Sequence, residues 1–201
     1  GKDKDLLARK DKYYYSVMPE QLRLVLDSVR SWFDVDYCLR KARDLLGPKY
    51  PDLEYLEWAS HLVELARIVR PDDRPVRVLH ARTLLRRGER NEAVTLLETA
   101  RTPKPESFES GEDEESWFLA SRLLGDLYLN DLGRPDLAVP CFSDFRKSSK
   151  SGADTLFKLG QAYEQIGDAV RAVKCYKQVT GYDGHPLAPD AREALYRLES
   201  R

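Results

Sequence analysis

The chain repeats itself, and the period of the repeat restricts its fold more than any other feature. The stretches "LLGDLYLNDLGRPDLAVPCF" (residues 123–142) and "LGQAYEQIGDAVRAVKCYKQV" (residues 159–179) carry the same marks in the same order. Gly125 and Gly160 stand 35 residues apart, as do Tyr128 and Tyr163. Ala138 and Ala172 stand 34 apart, as do Phe142 and Tyr176, so one residue is inserted in the turn at 130–133. Upstream, Ala81, Gly88, Ala93, Leu97 and Pro105 mark a third unit, and Ala59, Val63, Ala66 and Pro71 match its second half, again 34 residues earlier. A period of this size held over four units is the mark of a solenoid, in which each unit buries its apolar face on its neighbour.

Each unit reads as two amphipathic helices. In the last, Leu156, Leu159, Gly160 and Tyr163 share one face at i, i+3, i+4, i+7 spacing. Val170, Val173, Cys175/Tyr176 and Val179 are expected to form the inward stripe of the second helix. Gly167 suits a left-handed helix end and Asp168 the cap of the next helix. Gly160 and Ala172 are small, which lets two helices approach closely, with Tyr163 expected to fill the adjoining gap. The expected units are 35–71, 74–105, 114–149 and 153–186, with a cap at 187–201 whose Leu187, Ala191, Ala194, Leu195 and Leu198 face inward. Together with a helix over 19–46 they make one domain, 19–201, preceded by an arm or short helix, 1–18. Leu22, Val25, Leu26, Val29, Trp32 and Phe33 form a stripe on the 19–46 stretch, and Asp34 is expected to cap a separate helix over 35–46. Tyr13, Tyr14 and Tyr15 read as rings that pack on the first pair or as a docking strip.

The Leu-Gly-x-x-Tyr…Gly-Asp…Ala…Tyr pattern resembles the tetratricopeptide repeat (TPR) family over residues 52–179. The half-unit "DYCLRKARDLLGPKYP" departs from it, because Gly47-Pro48 and Pro51 stop a helix. The resemblance implies an all-α, right-handed superhelical solenoid of antiparallel helix pairs, with flanking N-terminal helices and a C-terminal capping helix. It also implies protein or peptide binding rather than catalysis.

Composition narrows the function. With 33 Lys+Arg against 34 Asp+Glu the net charge is -1, which lacks the basic excess a nucleic-acid binder uses against phosphates. No apolar run approaches the roughly 20 residues that span a bilayer. The cysteines Cys38, Cys141 and Cys175 form no disulfide framework and suit a reducing, cytoplasmic setting. Cys141 and Cys175 occupy equivalent repeat positions and read as small hydrophobes. There is no phosphate-binding glycine loop, nucleophile elbow or metal-ligand motif, so no catalytic residue, metal or cofactor is expected. His80 falls on the buried stripe of its helix and reads as a core histidine; His61, near Glu57 and Glu64, reads as a surface residue. The acidic stretch 106–117 reads as a solvated loop with Glu112 and Glu115 near a helix N-terminus, or as a contact for a basic partner.

In repeats of this family the first helix of each pair lines the concave groove. The residues there that the packing does not use are Arg82 and Arg86, Arg122 and Asp126, then Phe157, Gln161 and Gln165. Arg82, Arg86 and Arg122 suit a carboxylate or acidic peptide. The Lys/Asn set by which some members hold chaperone tails is missing, since those sites carry Val78/Arg82, Arg122/Asp126 and Phe157/Gln161. The reading is a non-catalytic scaffold that binds a peptide or partner segment in this groove, with self-association into a homo-oligomer as a sub-case. A second reading takes the chain, which opens Gly1-Lys2-Asp3, as a regulatory or tethering piece of a larger enzyme or membrane-anchored protein. RNA binding by helical repeats is the third.

Overall fold

The computed structural model describes residues 34–200, apart from Asp183. The arm 1–18, the tyrosine run and the stretch 19–33 lie outside the described residues. Among those described, every regular element is a helix: α1 Val35–Leu45, α2 Leu53–Val69, α3 Arg74–Arg87, α4 Arg90–Arg101, α5 Gly111–Asp126, α6 Pro135–Phe145, α7 Ala153–Gln165, α8 Ala169–Thr180 and α9 Ala188–Glu199.

The boundaries follow local chemistry. The Asp34 carboxylate accepts from the Tyr37 amide at 2.7 Å, and α1 stops before Gly47-Pro48. That break is simply the turn of the first pair. α3 ends on Gly88 at φ 82° and α7 is followed by Gly167 at φ 83°, a left-handed conformation open to glycine. Asp168 then caps α8 by accepting from the Arg171 amide at 2.9 Å. The residue inserted at the 130–133 turn is absorbed as a π-helical continuation of α5, Leu127–Asp131, where the Leu132 amide reaches back five residues to the Leu127 carbonyl at 3.0 Å.

Consecutive helices pack as α1/α2, α3/α4, α5/α6 and α7/α8, and α9 closes on α8. The first helices also touch one another, α1 with α3 and α3 with α5, and so form an inner row. One core cluster joins α1, α2 and α3; a second runs from α3 to α9, so α3 contributes to both, through Val76 and Leu79 to the first and Val78, Ala81 and Leu84 to the second. In α9, Ala188, Ala191 and Ala194 are buried, and Ala194 stands 34 residues after Gly160, in the register of a further inner helix.

The helices of a pair meet through a ring seated on a glycine. A Cβ at Gly160 would lie 2.7 Å from the Tyr176 ring, and one at Gly125 would lie 2.6 Å from the Phe142 ring. The ring over Gly160 is therefore Tyr176 from the second helix. Tyr163 lies one turn further along α7, with the Arg171 guanidinium 4.7 Å over its ring. At the equivalent place in α3/α4 the pair is Ala81 and Leu97, both fully buried: a smaller partner tolerates a methyl group. Val170, expected inward, is 83% exposed. The buried stripe of α8 is Ala172, Cys175, Tyr176 and Val179, because Asp168 starts the helix with Val170 on its outer side.

The cysteines are buried free thiols, and burial pushes the Cys141 thiol up to about 11. His61 is exposed, and His80 is half-buried rather than in the core. Burial lowers the His80 pKa, partly offset by the Glu64 carboxylate.

Gly160→Ala forces the Tyr176 ring out of its seat and lowers stability by about 1–2 kcal/mol, the overpacking cost exceeding the gain in helix propensity. Combining it with Tyr176→Leu, which copies the Ala81/Leu97 pair, recovers part of that loss. Urea denaturation of the two single variants and the double variant measures the coupling, and additive losses would contradict the seat.

Candidate functional site

The inner row carries two depressions. The first, about 290 Å³, lies between α3 and α5, with Val78, Leu79, Phe118, Leu119 and Phe145 as its apolar lining. Its charged lining is Arg43, Arg82, Arg122 and Lys150 against Glu112 and Glu115. Glu112 pairs with Arg43 at 2.5 Å and Glu115 with Lys150 at 2.9 Å. Among the described residues no carboxylate pairs with Arg82 or Arg122. Arg82 instead donates to the Leu46 carbonyl at 3.4 Å, and the Arg122 guanidinium sits 5.9 Å over the Phe145 ring. Burial first, and then the like charges of Arg43, Arg122 and Arg86, hold the Arg82 guanidinium below the ordinary arginine value.

The second depression, about 510 Å³, lies between α7 and α9 and brings together Phe157, Gln161 and Gln165 with Asp190, Glu193 and Arg197. Phe157 packs on Tyr176 with ring centroids 5.5 Å apart. Glu164 is engaged: it accepts from the Tyr176 hydroxyl at 3.0 Å and from both Arg197 donor nitrogens.

The expected groove residues thus divide. Arg82 and Arg122 share the first depression, and Phe157, Gln161 and Gln165 share the second. Arg86 and Asp126 line neither. Arg86 donates to the Tyr50 carbonyl at 3.4 Å and the Pro51 carbonyl at 2.9 Å, bracing the α1–α2 turn. Asp126 pairs with Lys158 at 2.6 Å and ties α5 to α7. Sequence reasoning missed Arg43, Lys150, Asp190 and Glu193. Arg43 belongs to the helix that departs from the repeat pattern, and Lys150 to an inter-repeat loop. The two acids sit on α9, whose place in the inner row was legible in the spacing of Ala194 from Gly160.

A third depression, about 870 Å³, lies at the edge where second helices hand over to first helices. It is lined by charges that already satisfy one another: Arg74 with Asp113, Arg77 with Asp72 at 2.5 Å, and Arg70 with Asp36 at 2.8 Å. The acidic stretch opens α5 here, with the Ser110 hydroxyl accepting from the Asp113 amide at 3.1 Å. Trp117 at its end is 2% exposed, and its indole N–H donates to the Arg101 carbonyl at 3.1 Å. Within this edge Asp73 is raised above the ordinary carboxylate range by burial, which Arg70 partly offsets and Glu112, Asp113 and Asp36 reinforce. Asp144 shows the opposite balance. Burial would raise it, but hydrogen bonds from Lys147, Arg101 and Lys104 outweigh burial and hold it low.

Residues 153–185, the α7/α8 pair, match the tetratricopeptide repeat family. Among solved structures the chain is similar to YrrB, described as a TPR protein with an unusual peptide-binding site, at 16% identity and a TM-score of 0.64 over 90% of this chain and 83% of that one. It is similar to MamA AMB-1 at 17% identity and a TM-score of 0.61, over 83% of each chain. It is also similar to MamA MSR-1 at 18% identity and a TM-score of 0.58, over 81% of this chain and 85% of that one. No curated protein sequence matches it. Residues 153–185 thus form a tetratricopeptide repeat, and the described residues, all-helical and built of stacked helix pairs, share the fold of such solenoids. No helix among the described residues is long and apolar enough to cross a membrane.

The two carboxylates give opposite pH signatures. Asp73, raised in the fold, costs stability as pH climbs past its ordinary value; Asp73→Asn therefore raises the melting temperature at pH 7, and the gain fades toward pH 4. Asp144, lowered in the fold, stabilises at neutral pH and loses that contribution as pH falls through its depressed value. Asp144→Asn therefore lowers stability by about 1–3 kcal/mol at pH 7, with a deficit that shrinks in acid. Thermal melts of both variants between pH 7 and 4 check the signs.

Proposed function

We propose that this chain is a non-catalytic interaction scaffold that holds an extended segment of a partner protein along its inner row of helices. The observation that carries the reading is the lining of that row. Two arginines that pair with no carboxylate among the described residues border one depression, and an aromatic edge with two side-chain amides borders the other. Gln161 and Gln165 can donate to and accept from a peptide backbone whatever its sequence, and Phe157 offers apolar contact. In this reading Arg82, Arg122, Phe157, Gln161 and Gln165 touch the partner, while Arg86 and Asp126 brace the helices that present them. The fold shared with YrrB, itself described as having an unusual peptide-binding site, supports peptide binding as the use of this fold.

Self-association is a second reading, supported by the outer face of α2. There Trp58, Leu65 and Ile68 are 62%, 44% and 57% exposed along one stripe. A second copy would cover that stripe, and Trp58→Asp would then abolish concentration-dependent association in sedimentation equilibrium. A wild-type chain that stays monomeric at high concentration contradicts this second reading.

For the groove, an array of synthetic peptides screened with labelled protein supplies ligands, and backbone amide NMR shifts locate them. The expected outcome is shifts on α3, α5, α7 and α9, with Arg122→Glu and Gln161→Ala each weakening binding by roughly three- to tenfold. Shifts confined to α4, α6 and α8 would move the site to the outer face.

A further inference from the structure

We propose that the inner groove is electrically polar and selects a segment whose own charges are segregated, with carboxylates at one end and Lys or Arg at the other. The inference rests on the groove reading above and adds the chemistry and orientation of the occupant. Ion pairs within the protein cancel part of each depression's charge, and what is left differs in sign. Between α3 and α5, Glu112 and Glu115 are satisfied by Arg43 and Lys150, which leaves Arg82 and Arg122. Between α7 and α9, Arg197 is satisfied by Glu164, which leaves Asp190 and Glu193. The Asp126–Lys158 pair joins the two helices between these regions and is neutral in itself.

Folding accounts for only part of the residual charge. Arg82 is half-buried in a field of like charges, a cost that an incoming carboxylate relieves. Asp190 lies in the first turn of α9 and complements its dipole, but Glu193 lies a turn further on and faces the same depression. The inner helices run α3, α5, α7, α9. With steps of about 8–10 Å between neighbouring inner helices, the centres of the two depressions stand two steps, about 16–20 Å, apart, a span that an extended segment of about five or six residues covers. The acidic end of the occupant lies over Arg82 and Arg122, its uncharged middle over Phe157 and Gln161, and its basic end over Asp190 and Glu193. Because the two ends of the groove differ in sign, such a segment binds in one direction only.

The test uses the full chain and synthetic peptides of about ten residues with one composition in three orders. In one the acids precede the lysines, in one the order is reversed, and in one the charges alternate. A fourth peptide carries acids alone. Binding is followed by fluorescence anisotropy at low salt, and contacts by amide shifts. The expected result is that one of the two block peptides binds about tenfold tighter than the alternating one, a preference that collapses as salt screens the ends. The variant Asp190→Lys with Glu193→Lys, both on the exposed side of α9, should lose that preference and favour the all-acid peptide; circular dichroism checks its fold. Arg122→Glu should weaken the all-acid peptide by a similar factor. Block and alternating peptides within about twofold of each other overturn the polarity. If those equal binders still shift inner-row amides, the groove reading stands without it; if no peptide touches the inner row, both fall.

Discussion

The stack depends on how closely the two helices of a pair can approach, and in α5/α6 and α7/α8 that distance is set by an aromatic ring resting on bare backbone. Phe142 over Gly125 and Tyr176 over Gly160 leave no room for a methyl group. Close packing of this kind is bistable rather than elastic: the ring is seated or displaced, with little between. The contact also reaches the border of the core. The Tyr176 hydroxyl donates to Glu164, and Glu164 is gripped by Arg197 of α9. Tyr128, the counterpart of Tyr163 rather than of Tyr176, donates to Glu98 on α4. Burial first, and then the neighbouring carboxylate, raises both phenol pKa values, so the hydroxyls remain donors. One seat thereby positions the capping helix and, with it, the acidic end of the groove.

A second constraint operates where repeats join. The linker between α4 and α5 is longer than the other turns, and Arg101 manages it. Its side chain donates to Ser121 at 3.0 Å and Asp144 at 2.6 Å, lies 5.9 Å over the Trp117 ring, and its carbonyl accepts from the Trp117 indole. α4, α5 and α6 are locked at one point, which fixes how the first half of the inner row faces the second. The edge depression is filled with mutually satisfied charges for the same reason: it joins elements rather than presenting them.

Function is what the packing leaves over. Each first helix spends its small and apolar residues on its neighbours and turns the rest inward, where side chains become either braces or free groups. Arg86 and Asp126 are braces, because a carbonyl row and Lys158 claim them. Arg82, Arg122, Gln161 and Gln165 keep donors to offer. The free groups are of opposite sign at the two ends, so the groove has a direction although the repeats that build it are alike.

The repeat, the helical pairing, the caps at Asp34 and Asp168 and the left-handed turn at Gly167 could all be read from the chain alone. They depend on spacing and on local backbone chemistry that no distant contact overrides. The one-residue insertion could also be counted, though its resolution as a π turn could not, because a turn and a bulge absorb an extra residue with the same sequence cost. Which ring sits on Gly160, which arginines pair with no carboxylate among the described residues, and how Arg43, Lys150, Asp190 and Glu193 come to line the depressions were decided only by the tertiary structure. Those outcomes depend on which side chains from separate repeats arrive within a few ångströms of each other, and a period specifies that helices stack without specifying which charges meet when they do.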